Sequence, residues 1–328
     1  MPVPSVEQRV TEQEPNQACA AGETSDPSTS EDRGPTVNDI VVIDPECLEL
    51  DLNHGRINKL QNLESLTCIE RLFLRWNLIT KIENLDTLTT LVELELYDNQ
   101  ITKIENLESL VNLEILDLSF NRIKELEGLD NLKNLKKLFL SSNKIQKIQN
   151  VNHLQNLNLL ELGDNKIREI ENLDGLSTLQ YLYLGKNKIT KIKNLDTLVN
   201  LTCLSLQSNR LATIENMNNL KELNELYLSE NGIEIIQNLE ENKKLETLDL
   251  AQNKIKLIGN VSHLELLQEF WLNNNEVSDW NTVENLSSLK NLATVYLEKN
   301  PIAEDATYRR KLKIIAPSLT QIDATLCR

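Results

Sequence analysis

The feature that most restricts how this chain can fold is a 22-residue period, marked by asparagine at 77, 99, 121, 143, 165, 187, 209, 231, 253 and 275, with one more at 300. Between Asn77 and Asn99 the apolar residues Ile79, Ile82, Leu85, Leu88, Leu91 and Leu94 fall every three positions, and the step shortens to two at Leu96. A step of three suits extended or 3₁₀ turns, whose side chains at i and i+3 eclipse, better than an α-helix. A step of two is a strand. Each period therefore encodes one short strand and one tightly wound return, with every apolar side chain on the same side. A coil of this kind has nothing of its own to pack against and is stable only with further copies stacked on it.

The spacing from Asn275 to Asn300 is 25, and Trp280, Val283, Leu286, Leu289, Leu292, Val295 and Leu297 keep the phase through it, so one whole turn is inserted. Residues 41 to 62 read as a degenerate first coil, with Leu50, Leu52, Ile57 and Leu60 in phase and Gly55 where the asparagine would stand. With it the chain carries 12 strands, from Leu50-Asp51-Leu52 to Val295-Tyr296-Leu297. The array, residues 41 to 302, ends near Ile302. Beyond it, Tyr308, Leu312, Ile315 and Ala316 at helical spacing, a stop at Pro317 and the pair Leu319/Ile322 predict a helix and short strand over 303 to 328 that close the end of the core. The recurring asparagine is structural, because at a tight corner its amide can satisfy backbone groups that the turn leaves unpaired.

The pattern LxxLxLxxNxI, with IENLxxLxxL following it, resembles the leucine-rich repeat, in the 22-residue variety of intracellular proteins. The resemblance implies an α/β solenoid with parallel strands on a concave face, 3₁₀ turns on the convex face and a C-terminal cap. One elongated domain follows, since a stack grows without a thickening core.

Residues 1 to 40 are a different material. Eight acidic residues stand against two arginines with few large apolar side chains, a composition expected to stay disordered. The start MPVPSVEQRV has no apolar stretch of a secretory signal, and no run of about 18 apolar residues predicts a membrane span. The net charge of −16 disfavours nucleic acid, whose phosphates need a basic surface. The five cysteines, at 19, 47, 68, 203 and 327, form no close pair, as expected of free thiols in a reducing compartment. The acceptor tripeptides starting at Asn200, Asn260 and Asn285 are incidental to an Asn-Leu-rich repeat.

Catalytic or metal-binding signatures are not found. His54, His153 and His263 are far apart with no ligand spacing, and no phosphate-cradling glycine loop or nucleophile elbow occurs. No cofactor or metal is expected, and no enzyme activity.

What the repeat leaves variable is the residue between the two leucines of L-x-L, which alternation turns away from the core. Stacking lines these residues up as Phe73, Glu95, Asp117, Phe139, Glu161, Tyr183, Ser205, Tyr227, Asp249, Trp271 and Tyr296. Six are aromatic and four acidic, in a chain with only thirteen aromatic residues. Rings beside carboxylates are the composition of a protein interface that takes a cation from its partner. Asp117, Glu161 and Asp249 are expected to hold Arg or Lys in bidentate fashion, and Glu269 shares the face with Trp271. Two positions on, Ser119, Ser141, Gly163, Gly185, Gln207, Ser229 and Ala251 are mostly small, which would let a partner approach the backbone.

Together, LYDNQITKIENLE, LEILDLSFNRIKELEG, LGKNKITKIKNLD, LSENGIEII, LQEFWLNNN, TVYLEKNP and PSLTQIDAT are similar to the leucine-rich regulatory subunits of type-1 serine/threonine protein phosphatase. The similarity runs from about residue 45 to the end. It implies that the concave face holds the phosphatase catalytic subunit through Asp117, Phe139, Glu161, Tyr183, Asp249, Glu269, Trp271 and Tyr296, where Tyr183 replaces a Phe found in the family. It also implies control of phosphatase assembly, activity and location, including in mitosis, in nucleus and cytoplasm. A third regulatory protein is a further candidate partner, on which the sequence itself is silent. The unbound chain is expected to be a monomer. The competing reading is a scaffold for a ciliary or spliceosomal assembly, in which similar acidic arrays serve.

Overall fold

The computed structural model describes residues 44–327, so the expectation for residues 1 to 40 and the first three residues of the first coil lie outside the described residues. Twelve three-residue strands run parallel in chain order: β1 (Glu49–Asp51), β2 (Arg71–Phe73), β3 (Glu93–Glu95), β4 (Ile115–Asp117), β5 (Lys137–Phe139), β6 (Leu159–Glu161), β7 (Tyr181–Tyr183), β8 (Cys203–Ser205), β9 (Glu225–Tyr227), β10 (Thr247–Asp249), β11 (Glu269–Trp271) and β12 (Thr294–Tyr296). Each residue pairs with the one a full coil away, as Leu94 with Leu116 and Glu95 with Asp117, so every column of the repeat is a column in space. Behind the sheet the step-of-three leucines and isoleucines interdigitate into one continuous core almost fully excluded from solvent. Each such side chain contributes about 1.5–3 kcal/mol on burial.

The returns wind as successive i+3-bonded turns, such as Leu88 N–H to Leu85 O and Leu91 N–H to Leu88 O. A continuous 3₁₀ segment forms within the inserted turn, at Glu284–Ser288, directly after a short helix α1 (Trp280–Val283) whose N-cap Asp279 accepts the Asn281 N–H. Three extra residues give that coil enough chain to close helical bonds that the 22-residue coils cannot.

The asparagine column is the predicted ladder. Asn165 Oδ1 accepts the Ile145 N–H at 2.9 Å, while its amide donates to Leu140 O, Leu162 O and Gly163 O at 2.9–3.1 Å. A second ladder runs along the convex side: Asn84, Asn106, Asn150, Asn172, Asn194, Asn216, Asn238 and Asn260 each donate to a carbonyl of the preceding coil. All eight sit at positive φ of 54–59°, a left-handed conformation that asparagine tolerates better than most residues. Gly128 takes the same register at φ 68°, where a Cβ would stand 2.5 Å from Ile104 O. Two of the acceptor-pattern asparagines, Asn260 and Asn285, are rungs of this ladder, and Asn200 donates to Ser177 O beside it. His153 and His263 are likewise structural, each placing Nε2 against a carbonyl of the preceding coil, Leu129 O and Leu239 O.

At the C-terminal end, helix α2 (Tyr308–Ile315) lays Tyr308 and Leu312 over the last coil, with Ala316, Leu319 and Ile322 completing the cover. Lys311 sits 4.7 Å from the Trp280 ring and pairs with Asp305, and Arg309 donates to Ile322 O. The chain then adds β13 (Gln321–Ile322), parallel to β12, and β14 (Thr325–Leu326), antiparallel to β13. The four described cysteines are free thiols.

Candidate protein interface

Strand alternation turns residues one and three of every strand to the concave side, and the register sets them in files running the length of the sheet. The third residues of β3 to β12 line a hollow of about 870 Å³ that extends from Arg75 to Tyr296. Asp117, Phe139, Glu161, Tyr183, Asp249, Trp271 and Tyr296 all face it, so the sheet brings together seven of the eight residues expected at an interface. Glu269, the first residue of β11, stands on the same face but outside the lining.

The column divides into chemically distinct parts. Toward the C-terminal end three rings pack edge to face, Tyr227 with Trp271 at 6.5 Å and Trp271 with Tyr296 at 6.0 Å between centroids. The Tyr227 hydroxyl donates to Glu225, and Gln321 donates to the Tyr296 hydroxyl. Trp271 Nε1, although buried, has no acceptor. A buried donor without a partner loses the hydration it had in the unfolded chain.

The carboxylates are deeper than their position in L-x-L suggests. Asp249 is only 2% exposed, because neighbouring coils on a concave surface crowd side chains against one another. Burial pushes the Asp249 and Asp117 carboxyls up to about 6, against the bonds they accept from Ser229 and Ala251, and from Ser119. In both, Oδ1 already accepts the backbone N–H two residues on, from Ala251 and Ser119 respectively, at 2.9 Å. One lone pair of each Oδ1 is thus committed to the turn, and the remaining lone pairs of the carboxylate are what a partner's cation would meet. Glu95 is different again, since Arg75 already holds it with Nη2 at 2.7 Å and Nε at 2.5 Å. Burial raises the Tyr183 phenol well above its ordinary range, so it presents a neutral hydroxyl.

The small residues beside the column are only partly open. Gln207 lies over Gly185, where a Cβ would come within 3.0 Å of its Cδ, and its Oε1 accepts the Ser205 hydroxyl. Sequence reasoning also missed a file of rings at the N-terminal rim, His54, Trp76, Tyr97 and Phe120. They lie beyond the L-x-L window, where the chain turns the corner; their bare recurrence near a 22-residue spacing was the available signal.

Among the described residues no group of three His, Cys, Asp or Glu is placed to hold a metal ion, and no helix is long and apolar enough to cross a membrane. The face offers rings and carboxylates for recognition.

Comparison with known proteins agrees with this architecture. The family described as "Leucine Rich repeats (2 copies)" matches residues 89–131 and 177–222, and two further leucine-rich repeat families match 133–189 and 204–324. A Xenopus tropicalis protein named protein phosphatase 1 regulatory subunit 7 is 52% identical over 52 residues, 16% of this chain and 15% of the relative. A Schizosaccharomyces pombe protein named protein phosphatase 1 regulatory subunit SDS22 is 46% identical over 54 residues, 16% of each. The matched stretches thus span under a fifth of these relatives. Among solved structures, an internalin from Listeria monocytogenes is similar with a TM-score of 0.70 at 26% identity, covering 89% of this chain and 92% of that one.

Proposed function

The chain belongs to the leucine-rich repeat proteins, and from that premise we propose that it is a non-catalytic regulatory subunit whose concave face binds the catalytic subunit of type-1 serine/threonine protein phosphatase. The observation that carries this is the single file of rings and carboxylates facing one hollow, in a chain similar to proteins named as regulatory subunits of that phosphatase. Asp117, Phe139, Glu161, Tyr183, Asp249, Trp271 and Tyr296 are the contact residues, with Glu269 joining from the flank of β11. One feature favours a partner with a basic patch: acidic groups whose burial is relieved by a cation. Through this contact the chain controls assembly, activity and location of the phosphatase, in nucleus and cytoplasm and during mitosis. A third regulatory protein binds the complex, and the free chain is a monomer.

The test is capture of purified type-1 catalytic subunit by the full chain and by a Trp271→Ala/Asp249→Ala variant. The intact chain should retain the phosphatase and the variant should not. Failure of the intact chain to bind, or undiminished capture by a folded variant, overturns the proposal.

A further inference from the structure

The contact residues proposed above come from β4 onward. The rim of the first four coils, of which Tyr97 and Phe120 border the hollow, carries an arrangement that the later coils do not share. At the corner following each strand the chain takes a left-handed residue, and along most of the array that residue is polar: Asp98, Ser142, Asp164, Lys186, Ser208, Glu230, Gln252, Asn274 and Lys299. At two corners, one coil either side of Asp98, it is instead Trp76 and Phe120, held at φ 54° and 55°. Bulky side chains are rarely found in this conformation, and these two still leave 41% and 45% of their surface exposed. His54 stacks flat on Trp76 at 4.4 Å, while Tyr97 fills the space between Trp76 and Phe120 at 5.6 and 4.9 Å. The result is a continuous ridge of four rings across four coils, with Asp98 exposed in its middle. Folding alone does not call for it, since serine serves at the same corner in two other coils.

We propose that this ridge docks a proline-rich, basic peptide segment of a partner protein in the polyproline II conformation. The periods match. Trp76 and Phe120 are two coils apart, which at the spacing of neighbouring strands is roughly 9.6 Å. A polyproline II chain repeats every three residues, or about 9.3 Å, so prolines at i and i+3 present their rings to the same side at that interval. One proline packs on Trp76 with His54 behind it, the other on Phe120, and Tyr97 forms the wall between them. Flat aromatic surfaces suit proline, whose fixed backbone loses little freedom on binding. The Arg75 guanidinium over the Tyr97 ring, at 5.9 Å, is matched by Glu95, so the exposed Asp98 between the two rings supplies the charge that selects a lysine or arginine in or beside the spacer. The occupant is thus defined by two prolines three apart and a cation near them.

The test uses the full chain and a synthetic ten-residue peptide carrying Pro-x-x-Pro with two arginines, and follows tryptophan fluorescence and titration calorimetry. A control peptide has the same composition with the prolines adjacent. Trp76→Ser and Phe120→Ser place at these corners the residue found at 142 and 208, so folding is retained, as circular dichroism will verify. Saturable binding is expected, weakened about tenfold or more by either substitution or by the control spacing, and several-fold by Asp98→Asn. No binding by the intact chain overturns the proposal, as does equal binding by the serine variants or by the control peptide. Self-association of the chain lost on Trp76→Ser, with no peptide binding, would identify a second copy as the occupant and equally overturn it. Phosphatase capture is read separately, so each proposal stands or falls alone.

Discussion

Replacing Asn165 by alanine removes one rung of the buried ladder without touching the core. Four bonds are lost, but their consequences differ. Leu140 O keeps the amide of Asn143 at 3.2 Å, Leu162 O keeps that of Asn187 at 2.9 Å, and Gly163 O keeps the Ser142 N–H. The Ile145 N–H has only Asn165 Oδ1 and is left unpaired in the interior. An orphaned buried donor costs about 1–3 kcal/mol and the weakened carbonyls add about 1, so Asn165→Ala should destabilise by about 2–4 kcal/mol. Asn165→Asp is the sharper perturbation. It keeps the acceptor for Ile145 but turns an oxygen toward three carbonyl oxygens that now face the amide at 2.9–3.1 Å. It should be worse than alanine at pH 7 and recover toward alanine, or beyond it, as acid protonates it and restores one donor. Urea denaturation followed by far-ultraviolet circular dichroism measures both. A loss below about 0.5 kcal/mol for Asn165→Ala, or an aspartate milder than alanine at neutral pH, would refute the ladder as the support of the stack.

Three further outcomes follow from the same geometry. Asp249 has its folded carboxyl raised to about 6, so ionisation opposes folding above that pH and the penalty fades as pH falls toward 4. Asp249→Asn should therefore be more stable than the parent by about 1–3 kcal/mol above pH 6, the gap closing at lower pH in a denaturation series, while phosphatase affinity drops. For the parent chain, phosphatase binding should weaken as pH falls through 6, as Asp117 and Asp249 lose the charge that meets a cation. Asn172→Gly gives up the bond to Ile148 O but tolerates φ 57°, as glycine does in that register at 128, and should cost about 1–2 kcal/mol, whereas Asn172→Val loses the same bond and also strains the backbone, and should cost about 2–4 kcal/mol in the same assay.

The stacking was legible because it is written in identity and period: Asn77 through Asn300 and the leucines between them fix both the ladder and the core. The face of Asp117, Phe139, Glu161 and Trp271 was legible from alternation within L-x-L. How deep each of these lies was not. Asp249 and Glu95 are buried by lateral crowding between coils and, for Glu95, by the Arg75 guanidinium, neither of which a linear pattern encodes. The convex asparagines at 84 and 106 recur as plainly as those at 77 and 99, but their role depends on a left-handed turn that periodicity of apolar residues does not reveal. Trp76 and Phe120 escaped for the same reason, since alternation ends where the chain turns its corner. The inserted turn at Trp280 kept its phase as expected, but opens as an α-helical turn before the 3₁₀ segment that a step of three implied.

The central claim, that the hollow sheet is where the phosphatase seats, is tested most directly by chemical cross-linking of the assembled complex with mass-spectrometric mapping. The account predicts cross-links from lysines bordering the hollow, Lys137 and Lys186, to the catalytic subunit, lost on Trp271→Ala. Cross-links confined to convex lysines such as Lys103 and Lys147, or to the helix α2 end, would contradict it.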